Sequence, residues 1–259
     1  MSGAAHRPGA QPVVAADTAL HRAPPQCKVA ATAVCVLFVA CTPTGVLWPY
    51  LGYGALLVGT AVIAAVPARA LLRRLVVEIP FVFFVVLLPF LASGPTVGVL
   101  GVRLSLAGIA SAVAIVLKAS FGLLATGLLA ATTPLPEVIA GLERLRAPVI
   151  VTAIASFMVR YGELLNSELA RLRTARVCRG ADQRWLWQVA DVAGCVGALF
   201  VRAFERGERV YLAMLSRGYT GSLPPTLTGA AASRFAWLTA LAVPAVFAGL
   251  AAAGWVTRS

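Results

Sequence analysis

Leu104–Ala131 reads LSLAGIASAVAIVLKASFGLLATGLLAA, and a single charge, Lys118, interrupts it. At about 1.5 Å of rise per helical residue, such a run exceeds the roughly 30 Å of a bilayer's hydrocarbon core and leaves room for tilt. The whole chain has the same character. It is 59% hydrophobic and 12% charged, with mean hydropathy +0.86, whereas soluble domains carry roughly 25% charged residues. The sequence is therefore read as all-α: a polytopic helical membrane protein.

Four further apolar segments accompany this one: Pro25–Cys41, Val46–Val66 ending at Pro67, Leu75–Leu91 before Ser93-Gly94-Pro95, and Phe235–Val256. About five transmembrane helices are expected. Basic residues flanking apolar spans mark the cytoplasmic side. Arg69, Arg73 and Arg74 follow the second segment, and twelve of the twenty arginines fall within 134–217. Both regions are expected inside. The uncharged Thr42–Gly45 turn and the Ser93–Arg103 loop are expected outside. This orientation puts the N-terminus in the cytoplasm and the C-terminus outside, in a multi-pass protein of the cell membrane. The first residues, MSGAAHRPGAQPVVAA, are small and rich in Pro and Gly, and they lack a signal-peptide core. The expected organisation is a disordered cytoplasmic tail at 1–24, a four-span bundle at 25–131, a cytoplasmic or interfacial coupling-helix region at 132–230, and a final span at 231–259.

The region 134–230 is too charged to span as a whole and too apolar for a soluble loop. Leu135, Val138, Ile139, Leu142 and Leu145 fall on one helical stripe, with Thr132 or Thr133 as cap and Pro134 near the first turn. Ile154, Met158, Tyr161, Leu165, Leu169 and Leu172 form a second stripe. Val192, Val196, Leu199, Ala203 and Val210 form a third, with Arg202, Glu205, Arg206, Glu208 and Arg209 on the other side. These patterns predict two long amphipathic helices, about 149–178 and 188–216. Their starts are apolar enough to enter the membrane, and their ends are basic enough for the cytoplasmic interface.

Several chemistries are absent. A phosphate-cradling loop needs Gly-x-x-x-x-Gly-Lys-Ser/Thr, and the two lysines, Lys28 and Lys118, lack that context. Neither histidine, His6 or His21, lies inside a span, and the five cysteines form no CxxC pair. No catalytic residue, bound cofactor or metal site is expected. No carboxylate lies at the centre of a span, which disfavours an ion-coupled carrier. The net charge of +12 is accounted for by membrane topology and an anionic lipid surface rather than by nucleic acid. Lys118 is open to two readings: a contact with substrate or lipid phosphate, or a lysine facing the bundle, a partner or a tilted helix's interface.

The basic helices end alike. Cys178-Arg179-Gly180 and Ser216-Arg217-Gly218 stand 38 positions apart. Each has Ala four residues before its Arg (Ala175, Ala213) and another Arg eight before it (Arg171, Arg209). Gly after a helix and Arg in its last turn are ordinary terminators, and Arg206-Gly207 shows that the dipeptide alone means little. The pairing on two basic helices is what stands out, because an arginine fork fits an acidic groove.

With these endings the sequence resembles the transmembrane T component of energy-coupling factor transporters. The family's Ala-Arg-Gly signatures appear here with Cys178 and Ser216 in the first position. The resemblance extends over about residues 17–225. It includes His21-Arg22-Ala23-Pro24-Pro25 to Lys28, Thr132-Thr133-Pro134 with the Glu137–Leu145 helix, and the Arg160-Tyr161 to Glu168 run. Its opening segment looks most like the cobalt/nickel branch. The resemblance implies a non-catalytic subunit. Two ABC-type ATPases, carrying the ATP and Mg, would grip Arg179 and Arg217, and a separate substrate-binding membrane subunit would select a metal ion or vitamin. Trp185 and Trp187 are expected to anchor the first ending at the interface or to touch that subunit. A membrane enzyme acting on lipid phosphates lacks a convergent acid/base set here, with only Asp182 and Asp191 nearby. A conventional ABC permease usually has one coupling segment rather than two.

Overall fold

Proline sets where several of the helices begin. With no N–H to lose and φ already fixed, it suits the first turn. In the computed structural model, which describes residues 18–87, 96–99, 102–180, 189–221 and 232–257, prolines occupy the first turn of α2 (Pro25–Cys41), α3 (Trp48–Ile63), α5 (Ile79–Val85) and α7 (Leu135–Arg144). The other described helices are α1 (Ala19–Arg22), α4 (Ala68–Leu75), α6 (Leu106–Thr132), α8 (Val149–Cys178), α9 (Val189–Leu215) and α10 (Arg234–Val256). The fold is that of a helical membrane protein. A small antiparallel hairpin joins it, β1 (Thr96–Val99) with β2 (Val102–Ser105), in register Thr96↔Ser105 to Val99↔Val102.

Among the described residues, three helical stretches are long and apolar enough to cross a membrane: Gly108–Thr132, Val149–Cys178 and Arg234–Val256. Pro25–Cys41 and Trp48–Ile63 are shorter apolar helices. Two sequence expectations change here. The apolar segment Leu75–Leu91 is not one described helix. It is the end of α4, a 3₁₀ turn at Val76–Glu78 and the short α5. Pro80 follows that turn, and a proline there removes a backbone donor from any continuous ladder. The rest of the segment, with Ser93-Gly94-Pro95, lies outside the described residues. Conversely, α8 reaches spanning length and apolarity, because its first eleven residues, Val149–Val159, carry no charge.

The chain divides into two compact units, Met1–Leu145 with Thr228–Ser259, and Arg146–Leu227. In the first unit α2 is the hub, packed against α6, α7 and α10. Its core joins Cys35 and Val39 of α2, Tyr50 and Tyr53 of α3, and Phe247 of α10. The Tyr53 and Phe247 rings stack with centroids 4.6 Å apart, and Tyr50 stacks on Phe121 at 6.1 Å. The Tyr53 hydroxyl is 2.9 Å from Thr42 Oγ1, so the most buried tyrosine keeps its polar end satisfied. At the other end of α2, the buried Lys28 ammonium donates to the carbonyls of His21 (3.0 Å) and Thr132 (3.5 Å). Gly141 lets α7 approach the start of α2, where a Cβ would stand 3.1 Å from backbone atoms of Pro25 and Gln26.

Candidate functional site

The second unit carries the two repeated endings. α8 starts after Pro148 and runs 30 residues, and α9 runs 27. These spans agree with the two long helices the sequence predicts. The helices meet along Phe157, Tyr161 and Leu165 of α8, which are spaced four apart and so share one face. Opposite them on α9 stand Ala203, Arg206, Gly207, Val210 and Met214. A cleft of about 350 Å³ lies between the two sets. Phe157 stacks on Tyr161, with centroids 6.1 Å apart.

The first predicted stripe divides: Tyr161 and Leu165 line the cleft, whereas Ile154 and Met158 are exposed, at 55% and 71%. On the other stripe Val196 is 53% exposed. Val192's side chain lies outside the described residues. Arg206, placed by sequence on the charged side, lies in the cleft with Ala203 and Val210. The i, i+3, i+7 spacing of these three puts them on one face. Its guanidinium pairs with Glu168 Oε1 at 3.6 Å, while Glu168 Oε2 is buried without a hydrogen-bond partner.

Both repeated endings close with the same backbone geometry. Gly180 and Gly218 have φ of +84° and +82°, the left-handed region where glycine avoids the Cβ penalty. The Gly180 N–H donates to the Val177 carbonyl and the Gly218 N–H to the Leu215 carbonyl, each at 3.0 Å. At the second ending the Tyr219 N–H also reaches the Met214 carbonyl at 3.0 Å, completing the six-to-one and five-to-two pair of a Schellman turn. The residue after Gly180 lies outside the described residues, as do Trp185 and Trp187.

All ten sequence-predicted residues are solvent-exposed: Arg171, Ala175, Cys178, Arg179, Gly180, Arg209, Ala213, Ser216, Arg217 and Gly218. Arg171 and Ala175 share one face of α8, and Arg209 and Ala213 one face of α9; Arg179 and Arg217 follow four residues later, just past the helix ends. Arg171 Nη2 donates to Ser167 Oγ at 3.4 Å, and Ser216 Oγ donates to the Ala213 carbonyl at 3.0 Å. The sequence reading missed Tyr219, a half-buried residue that lines the cleft directly after the second Arg-Gly. The signal was present, since an aromatic at that position is the apolar partner a Schellman turn calls for. Among the described residues no group of three or more His, Cys, Asp or Glu could hold a metal ion.

Comparison with known proteins bears on this pair of helices. Residues 16–227 match the family CbiQ, described as "Cobalt transport protein". The chain belongs to the CbiQ family. The cobalt transport protein CbiQ of Rhodobacter capsulatus is 33% identical over 192 residues, covering 70% of this chain and 75% of that one. The energy-coupling factor transporter transmembrane protein EcfT of Bacillus subtilis is 28% identical over 218 residues, 78% of this chain and 81% of its own. EcfT of Thermanaerovibrio acidaminovorans is 30% identical over 233 residues, 82% and 83% respectively. This member of the CbiQ family is a membrane transport component of the T type, near the cobalt branch, and the family match takes in both Arg-Gly endings.

Proposed function

We propose that the chain is the coupling subunit of an energy-coupling-factor importer. Arg179 and Arg217 seat two ABC-type ATPases, and α8 and α9 pass their motion to a separate substrate-binding membrane subunit. The cargo is cobalt, another transition metal ion or a vitamin, chosen by that other subunit. ATP and Mg sit on the ATPases, and this chain is not itself an enzyme. The charge pattern supports a cytoplasmic N-terminus, cytoplasmic Arg-Gly endings and an outside C-terminus. The observation that carries the reading is the duplication: two exposed arginines, each just past the end of a long helix and each followed by a glycine of matching φ. An exposed planar guanidinium held on a rigid helix end suits insertion into an acidic groove. The relatives named as energy-coupling factor transporter transmembrane proteins support the same role.

The test is co-purification of the tagged chain in mild detergent, with Arg179→Glu, Arg217→Glu and the double variant alongside. ATP-binding subunits are expected with the wild type, reduced in each single variant and lost in the double. Recovery of no ATPase, or full binding by the double variant, overturns the proposal. A membrane chain retained with the wild type would identify the cargo-selecting partner.

A further inference from the structure

The two endings share a backbone turn but differ in the residue that comes after the glycine. Gly218 is succeeded by Tyr219, half-buried and lining the cleft between α8 and α9 with Phe157, Tyr161, Leu165, Val210 and Met214. Gly180 is succeeded by Ala181, whose methyl group has no ring to insert. Among the described residues, none of Cys178, Arg179 or Gly180 lines the cleft.

We propose that Tyr219 is a positioning residue for Arg217, pinning the second Arg-Gly turn to the packed helix pair. Three observations carry this. The positive φ of Gly218 turns the chain back on α9. The Tyr219 N–H is held by the Met214 carbonyl at 3.0 Å. Met214 lines the same cleft as Tyr219, the pair whose apolar contact commonly accompanies a Schellman turn, and α8 supplies the cleft's other wall. Arg217 lies two residues before that anchor. A push on Arg217 is thus delivered to the cleft between α8 and α9, which makes the second socket a lever on the helix pair. The functional part of this inference rests on the coupling role proposed above, and the anchor itself does not.

The experiment compares wild type, Tyr219→Ala and Tyr219→Phe of the full chain, purified in detergent. Limited trypsin digestion reads cleavage after Arg217 against cleavage after Arg179 in the same sample. Tyr219→Ala is expected to raise that ratio about tenfold by freeing the second turn to open locally, and Tyr219→Phe to leave it near wild type. An unchanged ratio in Tyr219→Ala overturns the anchor. In parallel, ATPase recovered per chain is expected to fall in Tyr219→Ala although Arg217 is intact, and to return in Tyr219→Phe. Full ATPase recovery in Tyr219→Ala with an increased trypsin ratio overturns the positioning role but not the anchor. A wild-type chain that recovers no ATPase overturns the coupling reading, and the trypsin ratio still decides the anchor.

Discussion

The Lys118 ammonium donates to the Ala40 carbonyl at 2.8 Å. Ala40 is in the last turn of α2, where carbonyls lack helical partners and the macrodipole is negative. The Trp255 indole N–H donates to the next carbonyl, Cys41, at 3.1 Å. The one charge inside the Leu104–Ala131 run therefore caps a neighbouring helix, which supports the reading of a lysine facing the bundle. Lys118→Met keeps the side chain's length and removes the cap. It is expected to lower stability by about 1 kcal/mol, seen as a lower Tm in detergent, while Lys118→Arg stays near wild type. An equal loss in both variants would mean that the aliphatic stem matters more than the charge.

Glycine predictions turn on φ, because the same Arg-Gly dipeptide occurs in two settings. Gly207 lies inside α9, and a Cβ there meets nothing within 4 Å. Gly207→Ala is expected to stabilise the helix by up to about 1 kcal/mol. Gly218 and Gly180 have positive φ, so Gly218→Ala and Gly180→Ala each cost about 1 kcal/mol and fray the turn. Arg146, at φ 63°, shows that this chain tolerates a side chain in that region, so the cost is a shift and not a failure to fold. Thermal unfolding of the three variants, with ATPase recovery alongside, checks the opposite signs.

How much the sequence revealed depends on where its signals were strong. Long apolar runs and proline starts gave α2, α3, α6 and α10 within a few residues, because bilayer length and a missing N–H act locally. The bounds of α8 and α9 came from periodicity and the Arg-Gly stops. The faces of those helices did not. A stripe such as Ile154-Met158-Tyr161-Leu165 is apolar whether it meets a helix, lipid or a partner, and in a membrane protein apolarity no longer marks the inside. Glu78 shows the same limit. It lies near the start of the apolar Leu75–Leu91 segment, is 8% exposed and accepts from Ser120 Oγ of α6 at 2.9 Å, a pairing across 42 residues that no local pattern encodes.

The last prediction concerns the ion pair across the cleft. Glu168 is the more buried partner, at 16% side-chain exposure against 32% for Arg206, and its Oε2 has no hydrogen bond. Removing one member of such a pair costs most when it leaves the more buried charge uncompensated. Arg206→Gln leaves the Glu168 carboxylate desolvated and unpaired. Glu168→Gln leaves a guanidinium that still reaches water and can be resolvated. Arg206→Gln is therefore expected to destabilise by about 1 kcal/mol more than Glu168→Gln, a difference kept modest by the partial exposure of both groups. The double variant is expected to fall between wild type and Arg206→Gln, since it removes the stranded charge. Thermal unfolding of the three variants in detergent measures the order. A larger loss in Glu168→Gln would mean that the guanidinium holds α9 against α8 through contacts other than the carboxylate.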